Sequence, residues 1–380
     1  MSRLVLLGGG HSHVEVIRQL AQHPPGGVRV TLVSPDRHAI YSGMLPGWVA
    51  GHYELSQCSI DLKALCHAAG IRLYRTTANC IDAGARRVQC HDGTLLEYDV
   101  LSLNIGSTPD WDTLPGAFEH GVPVKPLARF THAWESLRRS VQHSNKRTVI
   151  AVIGAGAGGV ELALAMQFGL GKRLNDSADP VFHLLTDHSG ILSDHAPGAA
   201  RRLGRILRAR GIAVHLESRV TRIDAGMLHR ERGGSLPFDH ALLATTAAAP
   251  KWLAGAGLQT DPRGFVLVNA SLQSLSHPEV FAAGDVASIE GASVPKSGVY
   301  AVRQGPPLAE NLRRALTARP LVAYSPQKNA LALISTGDRY AVASWRGLSF
   351  AGAWVWRWKD VIDRRFVAKY RNNAGRDPIG

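Results

Sequence analysis

The segment that most constrains the fold is a glycine-rich loop near the middle of the chain. Residues 148–153 (TVIAVI) predict a buried strand, residues 162–168 predict a helix, and the sequence GAGAGGVE connects them. Glycines at this spacing allow a sharp turn and let a phosphate approach the N–H groups at the start of the helix. The unit therefore predicts a dinucleotide-binding α/β domain with nucleotide contacts at Gly154, Gly156, Gly158 and Gly159.

A related loop opens the chain. The apolar residues 4–7 run into Gly8, Gly9 and Gly10, and a helix is predicted after them. His13 stands where the pattern expects its third glycine, so an ordinary glycine turn is the alternative interpretation of this loop taken alone. Because the two loops share one design, the sequence predicts two bound nucleotides with electrons passing between them.

Polar residues after the second strand of each unit are candidates for ribose binding. In the first unit Ser34 takes the place where an acid is usual, and Asp36 follows it. In the second unit Asp187 would bind a ribose and repel a 2′-phosphate, which favours NADH. Arg201 and Arg202 follow in the sequence, so NADPH is left open as well.

A third signature lies at residues 280–287 (VFAAGDVA), where a strand is predicted to end at Gly284 and Asp285. The glycine permits close approach, and the carboxylate can accept a hydrogen bond from a polyol. Together with the two loops and the segments GGGHSHVEV, SPDRHAIYSGMLPG, PKSGVYAVRQGPPLAENL and WVWRWKDVIDRRF, it resembles the pyridine nucleotide-disulfide oxidoreductase superfamily of two-domain flavoproteins. The chain is most similar to the flavin domain found alone or fused to selenophosphate synthetase, and in outline to type II NADH:quinone dehydrogenases.

The resemblance implies an α/β fold with two Rossmann-like domains and a small C-terminal region. The FAD-binding domain would comprise residues 1–115 and 262–322, the NAD(P)H-binding domain residues 116–261, and the C-terminal interface or membrane-contact region residues 323–380. The implied FAD contacts are Gly8, Gly10, His11, Ser12, His13, Ser34, Pro35, Asp36, Ser42, Gly43, Ala78, Asn104, Ile105, Gly106, Gly284, Asp285, Lys296, Gly298 and Val299.

Two titratable side chains are implied to act near the reacting atoms. Glu161 would lie near the nicotinamide, and its alternative role is an acid stabilised by the start of the helix. Lys296, just before a helix predicted at 298–316, would stabilise the anionic reduced flavin together with the helix dipole. A solvent-exposed lysine is the alternative there.

The function implied is that of an FAD-dependent oxidoreductase. It would pass hydride from NAD(P)H to the flavin and electrons on to a quinone or another small acceptor. A redox partner or regulatory module in selenium or sulfur metabolism is the alternative, as is a sulfide- or selenide-oxidising enzyme. Cysteine spacing disfavours the last, because Cys58, Cys66, Cys80 and Cys90 form no C-x-x-C pair and predict reduced, mostly buried thiols.

The formal net charge of +13 favours anionic partners, but no nucleic-acid motif and no metal-ligand spacing accompanies it. Without a signal sequence or an apolar run of spanning length, the protein is expected in the cytoplasm, with peripheral contact at the inner membrane face. Tryptophans 345, 354, 356 and 358 among basic residues have the composition of an interfacial membrane anchor. Because Arg365 interrupts the apolar arc, a helix packed over the flavin face or in a homodimer interface is slightly favoured over membrane contact.

Hydrophobic periodicity predicts the remaining elements. Helices are expected over residues 61–69, 128–143 and 197–210, a single strand over 71–82, and a hairpin over 88–98. Residues 110–146 are expected to form a crossover that contains a helix and no strand.

Overall fold

The computed structural model describes residues 1–111, 113–144, 146–171, 179–245, 247–327 and 329–371. Its helices are α1 His11–Gln22, α2 Leu45–Val49, α3 Leu62–Ala68, α4 Ala117–His120, α5 Leu127–His143, α6 Ala157–Gly171, α7 Pro197–Ala209, α8 Gly298–Leu316 and α9 Ala353–Arg371. Its strands are β1 Ser2–Leu7, β2 Val28–Val33, β3 His38–Ile40, β4 Ser59–Asp61, β5 Arg72–Tyr74, β6 Ala78–Asp82, β7 Arg87–Cys90, β8 Leu95–Glu97, β9 Val100–Leu103, β10 Thr108–Pro109, β11 Gly121–Pro123, β12 Val149–Ile153, β13 Val181–Leu185, β14 Ala213–His215, β15 Val220–Asp224, β16 Met227–Arg230, β17 Ser235–Pro237, β18 His240–Leu243, β19 Ala247–Ala248, β20 Val266–Val268, β21 Val280–Ala282, β22 Ala287–Ile289, β23 Ala332–Ser335, β24 Ala341–Trp345 and β25 Leu348–Gly352.

Two five-stranded parallel sheets organise the molecule, and four of the five strands, β9-β1-β2-β5 and β18-β12-β13-β14, follow the same order. The first runs β21-β9-β1-β2-β5 and the second β11-β18-β12-β13-β14. Each is centred on the strand that leads into a glycine-rich loop. The predicted α/β fold with two Rossmann-like units is confirmed.

The two sheets differ in the outer strand that lies next to β9 or β18. This strand comes from a different part of the chain in each sheet. In the first sheet β21 comes long after β9, whereas in the second sheet β11 comes before the glycine loop. The intervening second unit therefore splits the first one, which is why Gly284 and Asp285 return to the edge of the first loop.

One apolar core spans both sheets. The central strand β1 contributes side chains with no exposed surface, and α6 has apolar residues on all its faces and lies buried. The start of α2 belongs to the same cluster, and a side chain on Gly169 of α6 would meet the carbonyl of Val49 at the end of α2. The two units are therefore packed directly against each other.

The C-terminal segment forms an antiparallel sheet, β23-β24-β25, followed by α9. Helix α9 lies across the first unit, where the Tyr53 hydroxyl donates to Asp360 at 2.5 Å and Lys359 donates to the carbonyl of Gly43 at 2.5 Å. Among the helices of the described ranges, none is long and apolar enough to cross a membrane.

Most predicted elements are confirmed and two are wrong. Helix α8 has the predicted bounds, and α3, α5, α7 and the β7–β8 hairpin match closely. The single strand predicted over residues 71–82 is two strands, β5 and β6, in different sheets. The crossover contains β11, which is too short and too proline-rich to show alternation, and residues 341–352 form a hairpin ahead of the C-terminal helix.

Candidate active site

The N-terminal glycine loop is held by one amide side chain. Gly8 has a φ of +89°, and a side chain there would overlap the backbone of Asn104. Asn104 Oδ1 accepts from the N–H groups of Ser12 and His13 at 3.0 and 3.2 Å, while its Nδ2 donates to the carbonyl of Ala283 at 2.6 Å. Asn104 therefore ties the start of α1 to the ends of β9 and β21.

Two backbone donors at the start of α1 stay available. Within the described residues, the N–H groups of Gly10 and His11 have no hydrogen-bond partner. Both lie at the N-terminus of α1, where the helix dipole favours an anion. This half of the site therefore fits the pyrophosphate of a dinucleotide.

Three side chains predicted to contact the flavin cofactor make hydrogen bonds inside the protein. Asn104 braces the loop, the Ser12 hydroxyl donates to the carbonyl of Ala301 at 2.6 Å, and His13 has no exposed surface. His13 Nδ1 donates to the carbonyl of Gly8 at 2.6 Å, and its Nε2 accepts from Ser102 Oγ at 2.8 Å. Burial lowers the pKa of His13 to about 4, so the ring is neutral and holds the loop through both of its nitrogens.

Asp285 stands at the edge of the same cleft. Gly284 has a φ of +73°, and its N–H donates to Gln304 Oε1 at 2.5 Å. The Asp285 carboxylate accepts from Ser107 Oγ at 3.3 Å and from Lys125 Nζ at 2.5 Å. Sequence reasoning missed Lys125, whose only signal was its place in the segment that joins the two units.

Residues predicted to line the flavin cleft come together at the start of α8. A side chain on Gly298 would lie 2.7 Å from Ser42 Oγ, and Gly43 follows Ser42 on the same loop. Val299 is 40% exposed beside them. The loop at 41–44 and the start of α8 therefore form adjoining walls.

Lys296 is only partly exposed and does not project freely into solvent. Its ammonium donates to the carbonyl of Ala287 and lies 4.0 Å from the ring centre of Phe265. Burial lowers the pKa of Lys296 to about 8, against the opposing effect of Asp261 and Asp285. The lysine is therefore still mostly protonated at pH 7, and its partial burial disfavours the solvent-exposed alternative.

The remaining predicted flavin contacts lie at the ends of the first sheet. Ser34 is buried after β2, and its hydroxyl donates to the carbonyl of Asp36 at 3.3 Å, while Pro35 and Asp36 are exposed. Ile105 and Gly106 follow β9 and are half-buried. Ala78 begins β6 in a separate antiparallel sheet.

The second glycine loop is more open. A side chain on Gly159 would overlap the carbonyl of Gly154, so only glycine lets α6 approach the strand so closely. Around Gly156 and Gly158 there is free space on the side where a side chain would project. Asp187 follows β13 with its side chain 61% exposed, which leaves its carboxylate available to a ligand.

Glu161 lies where the second unit meets the C-terminal segment. Its Oε1 accepts from the backbone N–H and the hydroxyl of Ser335, both at 2.8 Å. Burial raises the pKa of Glu161, against the opposing effect of the nearby Lys359 ammonium. Lys359 donates to Asp363 at 2.7 Å, and despite burial the carboxylates of Asp363 and Glu161 raise its pKa. Sequence reasoning missed Lys359 and Asp363, because α9 reaches this site only through tertiary packing.

Comparison with known proteins decides the family. Residues 2–305 match the family model described as pyridine nucleotide-disulphide oxidoreductase. The chain belongs to this family. Membership confirms the resemblance found in the sequence, and with it the two cofactors, FAD and NAD(P)H.

Several relatives extend the match over almost the whole chain. Demethylphylloquinone reductase NdbB of Synechocystis is 26% identical over 97% of this chain and 92% of its own length. Type II NADH:quinone oxidoreductase NdhA of Mycobacterium tuberculosis is 24% identical over 97% and 84%. Among solved structures, NDH2 of Plasmodium falciparum in complex with NADH has a TM-score of 0.83 at 14% identity, covering 98% of this chain and 96% of that one. Sulfide:quinone oxidoreductase of Aquifex aeolicus has a TM-score of 0.80 at 19% identity, covering 98% and 92%.

Proposed function

We propose that this protein is an FAD-dependent NAD(P)H:quinone oxidoreductase, with the balanced reaction NAD(P)H + H⁺ + quinone → NAD(P)⁺ + quinol. The observation that carries the proposal is the presence of two parallel sheets with the same order of four strands, each with a glycine loop, and the return of Asp285 to the first of them. The flavin-binding part would comprise residues 1–115 and 262–322, and the NAD(P)H-binding part residues 116–261.

FAD, when bound, would supply the acceptor for the hydride of NAD(P)H and pass two electrons onward. The Gly10 and His11 N–H groups would bind its pyrophosphate, and Asp285 would hold its ribityl chain. The open loop at residues 154–159 would receive the pyrophosphate of NAD(P)H. The Lys296 ammonium is close enough to the Asp285 carboxylate to interact with its charge. It would place positive charge on that side of the cleft.

Reduction of a quinone also requires protons. Glu161 is a carboxyl group with a raised pKa at the junction of both units and α9, and Lys359 lies close enough to interact with its charge. This cluster would hold a proton beside the acceptor and release it as the acceptor becomes a quinol. Glu161 would thus act at the quinone side, in place of the nicotinamide contact expected from the sequence.

We further propose that the C-terminal segment contacts an anionic membrane surface. Its exposed apolar side chains, which we name the C-terminal aromatic patch, are Trp345, Leu348, Trp354, Trp358, Val361 and Ile362. Arg346, Arg357 and Arg365 of the same segment are exposed as well. Aromatic rings at headgroup depth and cations over anionic lipid are what an interfacial anchor needs, and a quinone is delivered from that surface.

Vesicle flotation tests the patch. A Trp354→Ser/Trp358→Ser double variant is expected to lose most binding to vesicles containing phosphatidylglycerol, whereas Leu95→Ser, an exposed apolar residue elsewhere, keeps it. A double variant that still floats with the vesicles but changes its oligomeric state would assign the patch to a homodimer interface and contradict membrane contact.

Anaerobic mixing tests the reaction. The FAD-loaded protein is mixed with NADH and with NADPH while the visible flavin absorbance is followed, and a ubiquinone analogue is then added. Bleaching by at least one nucleotide and recovery with the quinone are expected. If neither nucleotide bleaches the flavin, the protein is a partner module with little turnover, and the proposal fails.

A further inference from the structure

His11 of the GGGHSH motif has a buried ring nitrogen that no described residue hydrogen-bonds. It is the first residue of α1, directly after Gly10. Its ring lies 5.5 Å from the ring centre of Tyr41 and 6.1 Å from that of Phe366. Tyr41 and Phe366 are themselves stacked at 4.2 Å, so His11 stands against an aromatic wall built by the 41–44 loop and α9.

The polar end of this ring has no partner. His11 Nε2 is buried, and no hydrogen-bond partner for it exists within the described residues. Buried polar atoms in folded proteins are almost always hydrogen-bonded. In the same motif His13 satisfies both its ring nitrogens inside the protein. The unpartnered atom of His11 therefore points to a ligand.

The charged groups that act on His11 belong to the flavin cleft. They are the Asp285 carboxylate and the Lys125 ammonium, with opposite effects, and burial outweighs both and lowers the pKa of His11 to about 4. The ring is therefore neutral at physiological pH and offers one N–H donor and one acceptor. His11 belongs to the loop whose N–H groups are free, and it is close enough to Asp285 to interact with that charge.

We propose that His11 is a positioning residue for FAD, whose Nε2 hydrogen-bonds the cofactor between the glycine loop and Asp285. Phe366 holds the ring, so the C-terminal helix α9 is part of the flavin site. This inference rests on the proposed function, since it requires that the N-terminal unit binds FAD.

Helix α9 is anchored to α1 next to His11. Lys369 and Tyr370 donate to the Glu15 carboxylate at 2.7 and 3.0 Å, and Glu15 lies one helical turn after His11. Burial alone would raise the pKa of Glu15, but hydrogen bonds from Arg18, Gln19 and Lys369 lower it to about 2. The anchor is therefore ionised at all ordinary pH values, and it fixes Phe366 one turn before Tyr370.

Two substitutions of His11 distinguish the effect of its hydrogen bond on FAD binding from the effect of its size. Glutamine places an amide donor near the position of Nε2, whereas leucine keeps bulk without a polar atom. The measurement is the FAD dissociation constant, from titration of the apo-protein with FAD by flavin fluorescence, together with the visible circular dichroism of bound flavin. We expect His11→Leu to weaken FAD binding about tenfold and His11→Gln to stay within about threefold of wild type.

A histidine in the second unit provides the matched control. His195 Nδ1 is also buried without a partner in the described residues. His195→Leu and His195→Gln are expected to leave the FAD dissociation constant and the flavin spectrum unchanged. Tm and far-ultraviolet circular dichroism verify that every variant is folded.

A double-mutant cycle tests the role of α9. Phe366→Leu alone is expected to weaken FAD binding, and in the His11→Leu background it should add little, because both changes act through the same ring. Full additivity of the two effects would overturn the claim that Phe366 acts through His11.

Failure of the inference is distinct from failure of the proposed function. Wild-type protein that does not bind FAD contradicts both. Wild-type protein that binds FAD and is reduced by NAD(P)H, while His11→Leu binds FAD as tightly with the same spectrum, overturns only the role of His11.

Discussion

The two glycine loops start their helices in the same way, but a different residue lies between helix and strand in each. Val14 N–H donates to the carbonyl of Gly10 at 3.0 Å, and Val160 N–H to that of Gly156 at 3.0 Å, so the loops superpose in register. In the second loop a bare Gly159 lies against the strand end. In the first loop the equivalent residue is His13, which bridges the larger gap with hydrogen bonds on both ring nitrogens.

This difference matches two kinds of ligand. The first loop is braced by Asn104 and covered by α9, as suits a cofactor that stays bound. The second loop has open space at Gly156 and Gly158, as suits a nucleotide that enters and leaves in every turnover. A histidine at the third position is therefore compatible with dinucleotide binding when its ring is satisfied within the loop.

The acidic residues that follow Val14 and Val160, Glu15 and Glu161, also differ in their pKa values. Glu15 accepts several hydrogen bonds and has a pKa lowered to about 2, despite burial. Glu161 is buried with fewer donors, and its pKa is raised. The first acid is an anchor for α9, and the second is poised to hold a proton.

Removal of the Asn104 brace should have the largest effect. Asn104→Ala leaves the N–H groups of Ser12 and His13 and the carbonyl of Ala283 without their partner in a buried setting. Three unpaired groups are expected to lower the free energy of unfolding by about 4 kcal/mol. Urea denaturation measures this loss. Asn104→Asp keeps the acceptor oxygen, so its free energy of unfolding should lie between those of wild type and Asn104→Ala. An Asn104→Ala protein as stable as wild type would show that the amide does not brace the loop.

Acid should weaken the first loop through His13. Its folded pKa of about 4 lies below the ordinary value of 6.5, so the unfolded chain binds this proton at higher pH. Stability is therefore lost as pH falls from 6.5 toward 4, by up to about 3 kcal/mol. His13→Asn should flatten this part of the urea-derived stability profile, and the exposed His143→Asn should not. Parallel profiles for wild type and His13→Asn would contradict a neutral, buried ring.

A side chain at the third glycine of the second loop should block nucleotide reduction. The methyl group of Gly159→Ala would overlap the carbonyl of Gly154 and push α6 away from the strand. We expect reduction of bound flavin by NAD(P)H to slow about 100-fold while FAD stays bound. Gly171→Ala, at the far end of α6, projects into open space and serves as the control in stopped-flow absorbance. Equal rates for the two variants would refute the close approach.

Asp187 should have the smallest effect, because its side chain is mostly exposed and its charge is screened. Asp187→Ser is expected to shift the ratio of kcat/KM for NADPH over NADH upward by about threefold to tenfold. The exposed Asp194→Ser is the control. An unchanged ratio would remove Asp187 from the ribose site.

Local pattern predicted the parts of the fold that local physics determines. The strand, glycine loop and helix around Gly154 and the whole of α8 carry their own periodicity and turn residues. The short edge strand β11 has no such pattern, since its pairing with β18 creates it. Only tertiary packing brings Lys125 to Asp285, or Lys359 to Gly43, across 160 and 316 residues of sequence.

The contrast between the loops also shows which of the predicted contact residues support the loop from within the protein. His13 and Asn104 lie at positions where family members are expected to contact the nucleotide, and both side chains are turned inward to hold the loop. A histidine in place of glycine needs such partners, and sequence alone does not reveal them. His11, two residues away, keeps its polar atom unpaired.

The nucleotide retained by the purified protein tests the central claim most directly, namely that the first loop holds a resident cofactor and the second an exchangeable one. The protein is saturated with FAD and NADH, desalted, denatured, and the released nucleotides are quantified by chromatography. The account predicts one FAD per chain and no retained pyridine nucleotide. Two FAD per chain, or loss of FAD with retention of the pyridine nucleotide, would contradict it.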